Sequence, residues 1–213
     1  MDQSLLENSK TAGISYVDYK EKILQWAAEG KTSGELTEAH IVATKLNAQR
    51  MKRIDKQCKL TTALLDNLQQ LKGKFTWLIL TEAWCGDGAQ IIPVVAKIAE
   101  AHPSIEVKLI FRDEHLDLMS HFLTNGTMGI PKLICINELT KQVIGTWGPR
   151  PKAIVAKIIE YKKQNPAVDK DTFNANLHLW YAHDNTMAVQ EDFTDLLLEW
   201  KNKIEQKEGA VIS

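Results

Sequence analysis

Three cysteines in 213 residues, Cys58, Cys85 and Cys135, are too few and too widely spaced for the disulfide framework of a small secreted domain. Reduced thiols are expected. No Cys-x-x-Cys or Cys-x-x-His pair occurs, and His178 and His183 stand five apart, a poor fit to one helix face, so a structural metal has no ligand framework. Charge of one sign is missing too: 26 Lys and Arg face 27 Asp and Glu, for a formal charge of -1. Without a global field, nucleic acid and anionic membranes are not expected partners. No apolar run approaches the ~18 residues needed to cross a bilayer. Met1 to Ser15 lack the charged-then-apolar pattern of a secretory leader, so a cytoplasmic location is expected.

What is present is the ordinary balance of a globular chain, 44% apolar and 25% charged. From Ser15 to about Leu71 the pattern is helical, opened by Tyr16, Tyr19, Ile23, Leu24 and Trp26 and interrupted at Gly30 to Gly34. Thr32 to Glu35 has capping-box spacing ahead of a long segment through Ile41, Ala43, Leu46 and Ile54. The basic cluster Arg50, Lys52, Arg53, Lys56 and Lys59 reads as a solvated helix face, or as a dock for an acidic partner. A third helix, Thr62 to Leu71, ends at Gly73.

The period then changes. Trp77-Leu78-Ile79-Leu80 is an apolar run suited to a strand covered on both faces. Gly86 to Ala101 reads as a helix, Ile105 to Phe111 as a strand, and Glu114 to Leu123 as a helix ended by Asn125-Gly126. Pro131 to Ile136 and Gln142 to Thr146 have hairpin spacing, and Pro151 to Lys163 is a closing helix. The order is β-α-β-α-β-β-α, an α/β core with a mixed sheet and helices on both faces. The boundaries are 1-73 for an N-terminal helical extension, 74-165 for the core domain and 166-213 for a C-terminal helical extension. Phe173 to Lys203, rich in Leu and Trp, suggests one or two docking helices.

The chemistry concentrates in Glu82-Ala83-Trp84-Cys85-Gly86-Asp87-Gly88, between a buried strand and a helix. In an open α/β sheet, ligands gather at such strand ends, where the helix also points unpaired N–H groups. Trp84, Cys85 and Gly86 here resemble the helix-opening motif Trp-Cys-Gly-Pro-Cys of the thioredoxin superfamily. Pro93, eight residues after Cys85, matches the proline that commonly kinks the family's first helix. Ile130-Pro131 resembles its cis-proline, and Gly148 the glycine of its third active-site loop. With Arg112-Asp113-Glu114 and Trp147-Gly148-Pro149-Arg150-Pro151, the wording is similar to a thioredoxin-like bacterial branch with helical extensions.

The departures matter as much. Gly88 replaces the second cysteine, without which a dithiol enzyme cannot release its mixed disulfide. Ile79 stands at the family's buried acid and Leu109 at its nearby lysine. Cys135 lies roughly 13 Å along a strand from Pro131, too far for a bridge, and is expected to pack in the core.

The resemblance therefore implies a monothiol redox protein. Cys85 would exchange with protein or small-molecule thiols and disulfides, an external thiol such as glutathione resolving the adduct. No bound cofactor is expected. Trp84, Gly86, Asp87, Ile130, Pro131, Gly148 and Arg150 would form the substrate rim. A helix N-terminus shifts a thiol by less than a pKa unit and Asp87 opposes it, so activation needs a cation. Arg150 is expected to face Cys85, with Arg112 as the other candidate. The alternative is a non-catalytic binding module that keeps the groove for a peptide or an anionic thiol ligand. The sequence leaves the oligomeric state open.

Overall fold

The computed structural model describes residues 2–211. Four strands, β1 (Phe75–Thr81), β2 (Ile105–Phe111), β3 (Lys132–Asn137) and β4 (Val143–Trp147), form one sheet in the order β2-β1-β3-β4. β1 runs parallel to β2 and antiparallel to β3, and β4 is antiparallel to β3. Every residue of β1 is buried, as a central strand covered on both faces must be.

Nine helices surround this sheet among the described residues. Four precede it: α1 (Gln3–Ala12), α2 (Tyr16–Glu29), α3 (Glu38–Gln57) and α4 (Thr62–Gln69). Then come α5 (Gly86–Glu100) between β1 and β2, α6 (Leu116–Ser120) after β2, α7 (Lys152–Gln164) after β4, and finally α8 (Lys170–Asp184) and α9 (Met187–Val211). The core order is thus β-α-β-α-β-β-α.

The alternation of β1 divides the interior into two clusters. Phe75, Trp77 and Ile79 join the larger one, with Ile91, Val94 and Ile98 of α5, Met51 of α3, Leu64 of α4 and Phe193 and Trp200 of α9. Leu78 and Leu80 join the smaller, with Ile110, Ile134, Leu118, Met119 and Leu6. Residues of both extensions share the larger core with the sheet, so their apolar faces are buried by the same hydrophobic drive that holds β1. Polar links add to this. Asp192 of α9, 5% exposed, accepts the Trp147 indole N–H at 2.8 Å and the Lys152 backbone N–H at 3.2 Å, doing for α7 what an N-cap side chain does elsewhere.

Some local expectations are corrected. A helix, α1, forms before Ser15, where the sequence pattern opened no element; it packs on α6 and β2. The long third helix is capped by Thr37, whose hydroxyl accepts from His40 N–H, while Thr32 bonds Thr44 instead. The segment expected to be helical over 114–123 shortens to a 3-10 turn, Arg112–Glu114, followed by the five-residue α6.

Candidate functional site

Cys85 sits at the N-cap of α5, in the β/extended region of the backbone, and its sulfur takes the role a serine or aspartate oxygen usually has there. Gly88 N–H donates to Sγ at 3.3 Å, and the thiol donates to the Ile130 carbonyl at 3.4 Å. The Ile130-Pro131 peptide is cis, as is Gly148-Pro149. Gly148 has φ +111 and lies so close to the Pro131 carbonyl that no Cβ could be placed there. Cys85, Ile130, Pro131 and Gly148, far apart in sequence, therefore meet at one end of the sheet.

The sulfur itself is secluded. Cys85 is 6% exposed, and burial, followed by the charge of Asp87, pushes its thiol up to about 12. Gly88 N–H and Arg150 act the other way without overcoming burial. Arg150 acts on the sulfur through its charge, while its hydrogen bonds go to Asp87. Its guanidinium holds Asp87 Oδ2 with Nε at 2.8 Å and Nη2 at 2.7 Å, and Tyr181 O–H donates to Oδ1 at 2.8 Å. A carboxylate two residues from the thiol outcompetes it for the cation, because two charged hydrogen bonds to a carboxylate oxygen are stronger than any contact a neutral thiol can offer.

The other thiols lie elsewhere. Cys135 pairs with Trp77 across β1 and β3 and belongs to the larger core, on the opposite face from Cys85. Burial pushes it, too, up to about 12. Cys58 ends α3, with Sγ 3.7 Å from the Thr186 hydroxyl. All three are free and buried. Space at Gly88 is closed: a Cβ there would meet Thr81 Oγ1 at 2.7 Å. Ile79 and Leu109 are register partners on β1 and β2, both 1% exposed, so the positions that the resemblance assigned to an acid and a lysine hold a buried apolar pair.

Both extensions reach the motif. His40 of α3 stacks on Trp84 at 4.5 Å, and the Arg112 guanidinium lies over the same indole at 5.2 Å while also pairing with Asp113. Trp84 is therefore occupied by intramolecular partners rather than bare. Asn47, 1% exposed, donates to the Ala83 carbonyl at 2.9 Å and accepts from Arg50 at 2.8 Å. From α8, the His178 ring packs on Gly86 so closely that a Cβ there would lie 2.6 Å from Cε1. Gln90 Nε2 is 3.3 Å from His178 Nδ1. Burial, then Arg50, Arg150 and Arg53, push the His178 imidazolium down to about 4, so the ring is neutral at pH 7.

Glu82, the residue after β1, has 0% exposure. The Ser33 hydroxyl donates to its Oε2 and accepts from Ala83 N–H at 2.8 Å, and Asp113 N–H donates to Oε1 at 2.9 Å. Burial raises its carboxyl above the ordinary value. Sequence reasoning placed neither Tyr181, His178, Asn47 nor Ser33 at the site. Each arrives from an extension, and only the basic cluster containing Arg50 gave a signal.

Beside Trp84, Gly86 and Asp87 opens a cleft of ≈ 440 Å³ between α3 and α8, with Arg50, Arg150 and His178 on its walls. Among the described residues, no group of three or more His, Cys, Asp or Glu side chains could hold a metal ion, and no helix is long and apolar enough to cross a membrane.

Comparison with known proteins agrees with this architecture. A family model described as thioredoxin matches residues 17–163, which takes in α2 to α4 as well as the whole sheet. A Pseudomonas aeruginosa protein of unknown function has a similar crystal structure, with a TM-score of 0.60 and 17% identity over 90% of this chain and 95% of that one. An HIV epitope-scaffold is similar at a TM-score of 0.52 and 17% identity, covering 87% of this chain and 98% of that one. These likenesses speak to the fold. No curated protein matches significantly.

Proposed function

The chain belongs to the thioredoxin family, and from that premise we propose that it is a ligand-binding member, using the groove at the start of α5 to hold a ligand rather than to run dithiol exchange. One observation carries the reading: the single motif sulfur is 6% exposed and held as a thiol, with its S–H donated to the Ile130 carbonyl. A nucleophilic cysteine needs thiolate character and access, and Cys85 has neither at rest. The closed space at Gly88 and the apolar Ile79 and Leu109 pair agree with a site from which the proton-transfer and resolving groups are gone.

A second reading, monothiol exchange, is favoured by the Gly88 N–H aimed at Sγ. In it a Cys85 thiolate attacks a protein or small-molecule disulfide, expels one thiolate, and is released from the mixed disulfide by an external thiol such as glutathione. The two separate in a disulfide-reduction assay with glutathione. The binding reading expects the same rate from wild type and Cys85→Ser; a wild-type rate abolished by Cys85→Ser transfers the function to the second reading.

A further inference from the structure

Counting charge around the cleft shows an imbalance. Arg50, Arg53 and Arg150 all act on His178, which is itself neutral. Asp87 is the one carboxylate lining the cleft, and both of its oxygens are already engaged by Arg150 and Tyr181. Arg50 makes a single hydrogen bond, to the neutral Asn47 amide, and Arg53 makes one, to the neutral Gln90 amide. Among the described residues neither forms an ion pair, although both side chains are half-buried. The carboxylate whose charge reaches Arg50, Asp87, is already bonded to Arg150 and Tyr181, and a guanidinium partly out of water with no counter-charge bonded to it costs stability that an alanine or a solvated lysine would not. Arg50 is also held in place: the buried Asn47 amide fixed to the Ala83 carbonyl orients it at the cleft mouth. The remaining walls include Ala43, Leu46 and Leu177, which are apolar.

Resting on the reading of the chain as a binding module, we infer that this cleft is an oxyanion site. Arg50 of α3 takes the carboxylate or phosphate of a small ligand, Arg150 of the loop after β4 adds its positive charge beside it while its Nε and Nη2 stay on Asp87, and Ala43, Leu46 and Leu177 take the apolar body. A forked guanidinium matches either oxyanion in two parallel hydrogen bonds, and the volume of ≈ 440 Å³ suits a metabolite-sized molecule rather than a chain segment. The site is assembled from both sides of the motif, so it depends on the extensions and not on the thioredoxin core alone.

Inorganic phosphate and succinate, titrated separately into the full chain at low salt and followed by calorimetry, test this. Saturable binding of either supports the site, phosphate alone pointing to a phosphoryl ligand and succinate alone to a carboxylate. Arg50→Gln is expected to weaken that binding about tenfold, the worth of one charged hydrogen bond. Lys52→Gln, an exposed neighbour on α3, should change it less than about twofold. In unmutated protein, the anion that binds should slow phenylglyoxal modification of Arg50 and leave Arg112 unchanged. Saturation by neither anion, equal binding by Arg50→Gln, or an unprotected Arg50 overturns the inference. Cys85-dependent disulfide reduction would overturn the binding-module reading while leaving the oxyanion site standing; a redox-inert protein that ignores both anions would do the reverse.

Discussion

Arg150 and Asp87 are joined through a single carboxylate oxygen, Oδ2, which takes both Nε and Nη2 of the guanidinium. This pair, rather than any contact to sulfur, sets the field at Cys85. Asp87→Asn should lower the Cys85 pKa, because it removes the opposing charge and frees Arg150; iodoacetamide labelling at pH 8 is expected to speed up by roughly tenfold, one pKa unit. Arg150→Ala should slow labelling and destabilise the fold by about 2 kcal/mol, leaving Asp87 buried with Tyr181 alone. Mass-resolved labelling and urea titration read both effects.

Unmutated Cys85 should itself be slow. A thiol moved from 9.0 to about 12 presents roughly a thousandfold less thiolate at neutral pH. The native protein is therefore expected to label at Cys85 only a small fraction as fast as the urea-unfolded chain. Equal rates would mean that the sulfur is open and the burial argument fails.

Gly86 and His178 make a second pair that can be separated by a cycle. Gly86→Ala drives a Cβ into the imidazole and should cost about 1–2 kcal/mol, the usual range for overpacking. In a His178→Ala background the same change should be nearly neutral. A coupling energy near zero in the double-mutant cycle would show that α8 does not bear on the motif.

The pH dependence of stability should carry the signature of His178. Its folded value, about 4, lies below the ordinary 6.5, so between them the unfolded chain binds a proton that the folded chain refuses. This contribution to stability is complete above about pH 6.5 and lost as pH falls toward 4. Because the ring is partly open to solvent, a loss of about 1–2 kcal/mol is expected across the window, absent in His178→Gln. Glu82, with its carboxyl raised by burial, pulls the opposite way in both proteins and cancels in the difference.

Ser33 bridges Ala83 N–H and the Glu82 carboxylate, tying the loop before α3 to the end of β1. Ser33→Ala strands both groups in the interior and should cost about 2–4 kcal/mol in thermal or urea unfolding. A loss under about 0.5 kcal/mol would place these groups in contact with water.

The sequence by itself determined the sheet and the position of the sulfur. The four-residue apolar run Trp77 to Leu80 has the length and pattern of a covered strand, and the helical period that opens at Gly86 puts Cys85 at a helix start, both local consequences of period and capping. Helix ends were less legible: Thr37 rather than Thr32 caps α3, and the Thr32 hydroxyl pairs instead with Thr44 on the second turn of that helix. What only the tertiary structure decided is the chemistry of the site. The state of Cys85 depends on burial and on which partner Arg150 chooses, and the cleft depends on α3 and α8 closing on either side of Gly86. These are long-range contacts between segments with no shared local pattern, so no periodicity or motif along the chain could encode their meeting in readable form.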